Sequence, residues 1–292
     1  ATLFPYTTLF RSYRLLVTKM NCPDLRVMSF NVLNAHAGHY AGRWRLRKEP
    51  VAMAIWAYGP DLLGAQELQR KQADFLRQRL GEYEFISPGR DKGVLAGQSV
   101  AIFYRAGRFR KIEHGHFWLS KTPDKPGSQN WGSMAPRMCN WVRLADLRHD
   151  DERQFVFFNA HFDPFSRWAR LRSGEILRDR IAAIAGRDPA IIAGDFNANA
   201  HRKVYQVVLA GPGGQGLILL DAYRQAHPKC KRQRREGTWH GRGFRLGRRL
   251  DWILHTSDFD VIDAAIDRAK RNGRYPSDHF PVTATLRWRE NG

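Results

Sequence analysis

The sequence predicts an α/β fold, a four-layer sandwich of two packed mixed β-sheets with helices on the outer faces. Three observations carry it. About a dozen short apolar runs read as strands, only three stretches carry strong helical spacing, and strands and helices follow one another in mixed order. A parallel doubly wound sheet would need a helix after nearly every strand. The chain has 292 residues with 43% apolar content, enough for one large core, and no low-complexity linker or internal repeat divides it.

Taken in order, residues 25–33 (LRVMSFNVL) read as a strand ending on polar residues. Residues 43–59 have helical spacing, with Pro50 requiring an early position or a kink. A buried strand at 61–67 and a helix near 69–80 follow. Strands are expected at 83–87, 98–104, 108–119, 140–147 and 154–161, and an amphipathic helix over 166–185. Then comes IIAGDFNANA (191–200), a buried strand that stops at Asp195 and Asn197. Further strands are expected at 217–221, 249–255, 259–268 and 281–288.

The strand ends form a pattern. Asn31 closes the first strand, Glu67 the second, His161 and Asp163 the run FVFFNAHFD, and Asp195 and Asn197 the run IIAGDFN. Asp251 opens DWIL, and Asp278 and His279 precede the last strand. Each alone has an ordinary reading: Asp195 and Asn197 suit a turn, Glu67 a surface, His161 a structural hydrogen bond, and Asp163 a cap on the helix that follows. Six termini bearing such residues are what separate strands converging on one site produce.

In order along the chain, SFNVLN, PDLLGAQE, NAHFD, GDFNA, RRLDWIL and PSDHFPV resemble the motifs of the endonuclease/exonuclease/phosphatase superfamily, from about Leu25 to the end. HFWLSKTPDKPGSQNW, PRMCNWVRL, ARLRSGEIL, DAYRQAHP and GTWHGRG resemble a bacterial branch of it. The resemblance implies the deoxyribonuclease-I-like sandwich and a metal-dependent phosphodiesterase. It implies that Glu67 and Asp278, with Asn31 beside them, hold Mg²⁺ or Mn²⁺, as suits hard oxygen ligands. Asp195 would orient or deprotonate the attacking water and Asn197 position it. His279 paired with Asp251 would form an acid-base dyad, and His161 would donate to a phosphoryl oxygen. Arg137 is a candidate phosphate contact. Arg170 matches the branch's pattern on the long helix, although Arg167, Arg172, Arg178 and Arg180 around it favour a solvated basic face. Ser277 reads as a turn residue rather than a nucleophile.

Charge bears on the partner. The formal net charge is +20, which favours nucleic acid or an anionic membrane surface, although an Arg-rich chain can also reflect genome composition. Between His227 and Arg249 nine Lys/Arg face a single Glu. That loop, with Lys231, Arg232, Arg234 and Arg235 and with Trp239, His240 and Phe244 among them, is the mixture that tracks a phosphate backbone and stacks on bases. A small or lipid phosphoester is the competing substrate, for which Trp131 and Phe117 would supply an aromatic rim. A non-catalytic scaffold on the same fold is disfavoured, because every catalytic motif position is filled.

Cys22, Cys139 and Cys230 are odd in number and far apart, which argues against a disulfide framework or structural zinc. No apolar stretch is long enough for a transmembrane segment. Thr2–Ser12 (TLFPYTTLFRS) reads as the in-frame translation of a common sequencing adaptor, so residues 1–19 are set outside the fold and 20–292 form a single domain. A cytoplasmic monomer is expected if Met20 is the true start, a lost signal peptide being the alternative.

Overall fold

The computed structural model describes residues 24–36, 43–91, 97–149, 151–210, 216–228, 236–241 and 248–290. Cys22, Cys230, Lys231, Arg232, Arg234, Arg235, Phe244, Met20 and the Thr2–Ser12 stretch lie outside those residues.

Among the described residues twelve strands form two sheets of six. The first contains β1 (Leu25–Asn31), β2 (Leu62–Leu68), β3 (Tyr83–Ile86), β4 (Ser99–Arg105), β11 (Phe259–Ile266) and β12 (Val282–Trp288). Its order is β11-β12-β1-β2-β4-β3. The second contains β5 (Phe109–Trp118), β6 (Met138–Asp146), β7 (Gln154–His161), β8 (Ala190–Asp195), β9 (Leu220–Asp221) and β10 (Asp251–His255) in the order β5-β6-β7-β8-β10-β9. Each sheet is mixed: β1 and β2 pair parallel, as do β7 and β8, and the remaining pairs are antiparallel.

The alternation of side chains along each strand explains the layers. Val27, Leu62, Phe157, Ile191 and Ile253 point between the sheets into one core. Their neighbours point the other way. Met28 and Leu63 pack under α1 (Trp44–Tyr58) and α2 (Arg70–Arg79). Phe158, Ile192 and Leu254 pack under α3 (Arg167–Ala185) and α4 (Lys203–Ala210). Strands buried on both faces are therefore apolar throughout, as the sequence runs show.

Some expectations shift. The strand expected at 217–221 shrinks to Leu220–Asp221, followed by a one-turn helix α5 (Ala222–Ala226). Asp221 starts that turn, its side chain accepting from the Arg224 N–H. Helix α4 was not expected from KVYQVVLA, whose three valines favour strand by local preference. Packing decides it: α4 lies so close to Gly174 of α3 that a Cβ there would sit 3.1 Å from Val208 Cγ2. Pro50 stands inside α1 rather than in its first turn. Phe117 is buried in the second sheet's outer core and forms no rim, and Trp131 is half-buried.

Candidate active site

Register brings the polar strand ends together. Across three neighbouring strands His161 pairs with Asp195, and Asp195 with Asp251, so their side chains form one row on one face. In the other sheet Asn31 pairs with Gln66, next to Glu67. Because β12 runs antiparallel to β1, the residues just before it, Ser277 to His279, arrive at the same end. Ser277 Oγ donates to Asn31 O at 2.6 Å and its oxygen accepts from His279 N, which hangs that loop on β1. Ser277 is thus the turn residue expected.

Asn31 is the hinge of the acidic side. Its Nδ2 donates to Glu67 Oε1 at 3.1 Å and to Asp195 Oδ2 at 3.0 Å, bridging the two sheets. Its Oδ1 accepts from Leu33 N at 3.0 Å. The amide therefore turns its nitrogen, not its oxygen, toward the carboxylates, and Asn31 orients them more than it offers a ligand atom. Glu67 lies at a β-bulge between β2 and β4 with φ +62°, a conformation that costs about 1 kcal/mol and re-aims the side chain. Burial opposes its ionisation, but the hydrogen bonds that the amides of Asn34 and Asn31 donate to it outweigh burial and hold its carboxyl below the usual range. Asn34 gives Glu67 Oε2 two hydrogen bonds, from N at 3.1 Å and Nδ2 at 2.8 Å.

On the basic side, His279 Nδ1 lies 2.9 Å from Asp251 Oδ2, and its Nε2 lies 3.8 Å from Asp195 Oδ2. Burial alone would pull His279 down, but the Asp251 and Asp195 charges raise it well above its ordinary value. His161 goes the other way. Burial and the Arg137 guanidinium, 3.4 Å away, keep its ring neutral. With Nε2 accepting from Arg137 Nη1, donation from that nitrogen to a phosphoryl oxygen requires Arg137 to turn away and Nε2 to carry a proton, by a change of tautomer or by protonation. Asp195 sits between the two rings, 3.6 Å from His161 Nε2. Burial, then the nearby Asp251 charge, pushes its carboxyl up to about 7. Asn197, at φ +49°, donates its backbone N–H to Asp195 Oδ1 and its Nδ2 to Phe162 O, which leaves its amide oxygen for another partner.

Asp278 is nearly buried, with Trp239 Nε1 3.3 Å from its Oδ2. Trp239 is thereby an orienting residue. His240 is buried, bonded to Ser277 O and stacked on Phe280 at 4.4 Å, so it is not available to stack on bases. Arg170 is not on a solvated face: its Nη1 donates to Asp163 O at 2.8 Å. Arg178 is also turned inward, onto the carbonyls of Val208, Leu209 and Leu217. Asp163 does not cap α3: Ser166 does, its side chain accepting from Ala169 N, and Asp163 instead accepts from Phe165 N and Ser166 N in the turn before the helix.

Sequence reasoning missed four contributors. Arg47 of α1 is fully buried and donates to Val32 O, Leu33 O, Asn34 O and Pro276 O, strapping the loop after β1 to the loop that carries Asp278. Gln66 Nε2 reaches Asn159 Oδ1 across the sheets at 2.8 Å, in a space kept open because a Cβ on Gly64 would strike that oxygen. Asn34 supports Glu67, and Arg90 lines a small pocket with Arg137 and His161. Nothing in the run of residues 31–34 or near Arg47 distinguishes them from loop and helix-surface positions.

Two donor sets suit a divalent cation. Glu67 offers an ionised hard oxygen, with Asp278 on the neighbouring loop. The close-packed group among the described residues is a different one: Asp195, Asp251 and His279 bring one ligand atom each within 4.8 Å of one another, and Asp251 Oδ1 is buried without a hydrogen-bond partner. The His279 ring in that second group is held by Asp251 at hydrogen-bond distance, the arrangement of a dyad.

Residues 28–279 match the model of the endonuclease/exonuclease/phosphatase family. The chain belongs to that family. Its members are phosphoester-hydrolysing enzymes that use divalent metals. Rat (Rattus norvegicus) nocturnin is 26% identical over 89% of this chain, which spans 63% of that protein's length. A family structure from Bacteroides vulgatus superposes with a TM-score of 0.82 at 28% identity, covering 91% of this chain and all of that one. A mannosyl-6-phosphatase from Bacteroides thetaiotaomicron superposes with a TM-score of 0.77 at 32% identity, covering 90% of this chain and all of the other. No helix among the described residues is long and apolar enough to cross a membrane.

Proposed function

We propose that the chain hydrolyses phosphodiester bonds of nucleic acid with Mg²⁺ or Mn²⁺ held by Glu67 and Asp278, Asn31 orienting the Glu67 carboxylate. The observation that carries the reading is Asp195 set between two imidazoles, 3.6 Å from His161 Nε2 and 3.8 Å from His279 Nε2, where burial lowers the first ring and the Asp251 and Asp195 charges raise the second. A carboxyl near pH 7 is suited to take a proton from water, and Asn197's free amide oxygen to hold that water. His279, kept charged by Asp251, offers an Nε2 proton and a positive charge where negative charge develops on phosphorus oxygens. Arg137 and Arg170 offer guanidinium groups to non-bridging oxygens. When bound, the cation would offset the charge that builds on those oxygens.

Net charge of +20 and the basic stretch 227–249 support nucleic acid as the substrate. A second reading, a small phosphoester, is favoured by the mannosyl-6-phosphatase similarity at 32% identity. A substrate panel with Mg²⁺ and Mn²⁺ separates them: single- and double-stranded DNA, RNA, sugar phosphates, phosphoinositides and sphingomyelin. Turnover of sugar phosphates with none of any nucleic acid would reject the first reading.

A further inference from the structure

The three most exposed large apolar side chains among the described residues are Met134 at 73%, Phe165 at 70% and Trp168 at 58%. They are not scattered. Asp163 clasps the two segments that carry them: Oδ2 accepts from Ser133 Oγ at 3.0 Å and Met134 N at 3.4 Å, and Oδ1 from Phe165 N at 2.9 Å and Ser166 N at 2.7 Å. Ser166 Oγ adds a bond to Trp131 O at 2.6 Å. The same carboxylate lies 3.6 Å from Arg137 Nε, and Arg137 meets His161. Phe165 follows His161 by four residues, so their Cα atoms are within about 14 Å of each other. The apolar group therefore borders the catalytic end and is fixed to it.

We propose that Met134, Phe165 and Trp168 form a platform on which a nucleobase beside the scissile phosphate packs. This deepens the nucleic-acid reading above and rests on it. Exposed apolar surface at a site's border costs solubility and marks a contact surface. Charge complementarity selects the occupant: Arg137 and Arg170 both meet Asp163, the residue that joins the two segments, and the Arg167 guanidinium lies 5.8 Å over the Trp168 ring. Aromatic faces interleaved with guanidinium groups take single-stranded nucleic acid, because every base presents a π-face and every linkage a charge. An anionic lipid surface would also accept these side chains. It requires no fixed geometry between the two segments, whereas the Asp163 clasp imposes one.

The test is the triple variant Met134→Ala, Phe165→Ala, Trp168→Ala, assayed with metal on a single-stranded oligonucleotide and on an abasic analogue of the same length. All three positions are solvent-facing, so melting temperature should hold. The expected result is a KM raised about 10-fold or more on the oligonucleotide, with kcat within about twofold and KM on the abasic analogue unchanged. Trp168→Phe, which keeps a ring, should stay near the wild-type KM. Cleavage of the oligonucleotide with an unchanged KM in the triple variant overturns the platform alone. Loss of co-sedimentation with anionic phospholipid vesicles alongside that unchanged KM makes the patch a membrane contact instead. A wild type that hydrolyses sugar phosphates and neither oligonucleotide overturns the nucleic-acid reading, and the platform with it.

Discussion

His279 and Asp251 are joined at 2.9 Å through Nδ1 and Oδ2, which leaves His279 Nε2 as the ring atom that faces Asp195. The carboxylate fixes the ring's orientation and tautomer and, with Asp195, keeps its proton on. Asp251→Asn keeps the volume and removes the charge. Catalytic rate should fall by about 10² to 10⁴, and the alkaline limb of the rate profile should move to lower pH. A rate profile with an unmoved alkaline limb would separate His279 from the reaction.

Arg47 should matter for stability. Arg47→Met fills similar space but removes the guanidinium from four backbone carbonyls, of which Leu33 O keeps the Gln72 Nε2 donor. Burial pulls the guanidinium down to about 10, against the attraction of Asp278 and Glu67. Urea unfolding should show a loss of about 3 kcal/mol, with the metal concentration for half-activity raised because Asp278's loop loosens. Wild-type unfolding in the variant would mean the strap is dispensable.

What the sequence could reveal follows from how each feature is written. The strand ends were legible because an apolar run that stops on Asn31, Glu67, His161 or Asp195 marks both a buried strand and its mouth. Asn34 and Arg47 were not, since their roles depend on loops brought together by strands distant in sequence. Gln66 and Asn159 are 93 residues apart, and only the sheet packing reveals that they meet. Helix α4 failed for the same reason: its valines obey packing on Gly174 over local preference. Arg178 read as surface because a guanidinium that satisfies three carbonyls looks like any other arginine.

Acid should weaken the fold through His255, far from the catalytic chemistry. Burial pulls this ring below 6.5, outweighing its hydrogen bond to Thr256 O and the pull of Asp221. It is neutral when folded and protonates when unfolded, so the unfolded chain binds the extra proton. Stability is then full above about 6.5 and declines as pH falls below it. Melting temperatures across pH 5 to 8 should show this decline, and His255→Asn should make it shallower. An identical slope in the variant would assign the acid sensitivity to other groups.

Neutralising Lys231, Arg232, Arg234 and Arg235 together tests the basic stretch. If these residues contact a phosphate backbone, the slope of log binding constant against log salt should fall by about 0.7 to 0.9 for each lost contact. Turnover of a small phosphodiester should persist. An unchanged slope, with both activities lost, would make the stretch part of the site's architecture.

Glu67 offers the most direct test of metal-dependent phosphoester hydrolysis at this site. Glu67→Gln barely changes volume and removes the charge that Asn31 and Asn34 hold in place. Hydrolysis of a phosphodiester should be measured against Mg²⁺ and Mn²⁺ concentration for wild type and variant, with melting temperature alongside. The wild type should need metal, and the variant should lose on the order of 10²-fold or more in rate at fixed metal with its melting temperature retained. Undiminished wild-type turnover in chelated buffer, or a Glu67→Gln variant as fast as wild type, would contradict the mechanism.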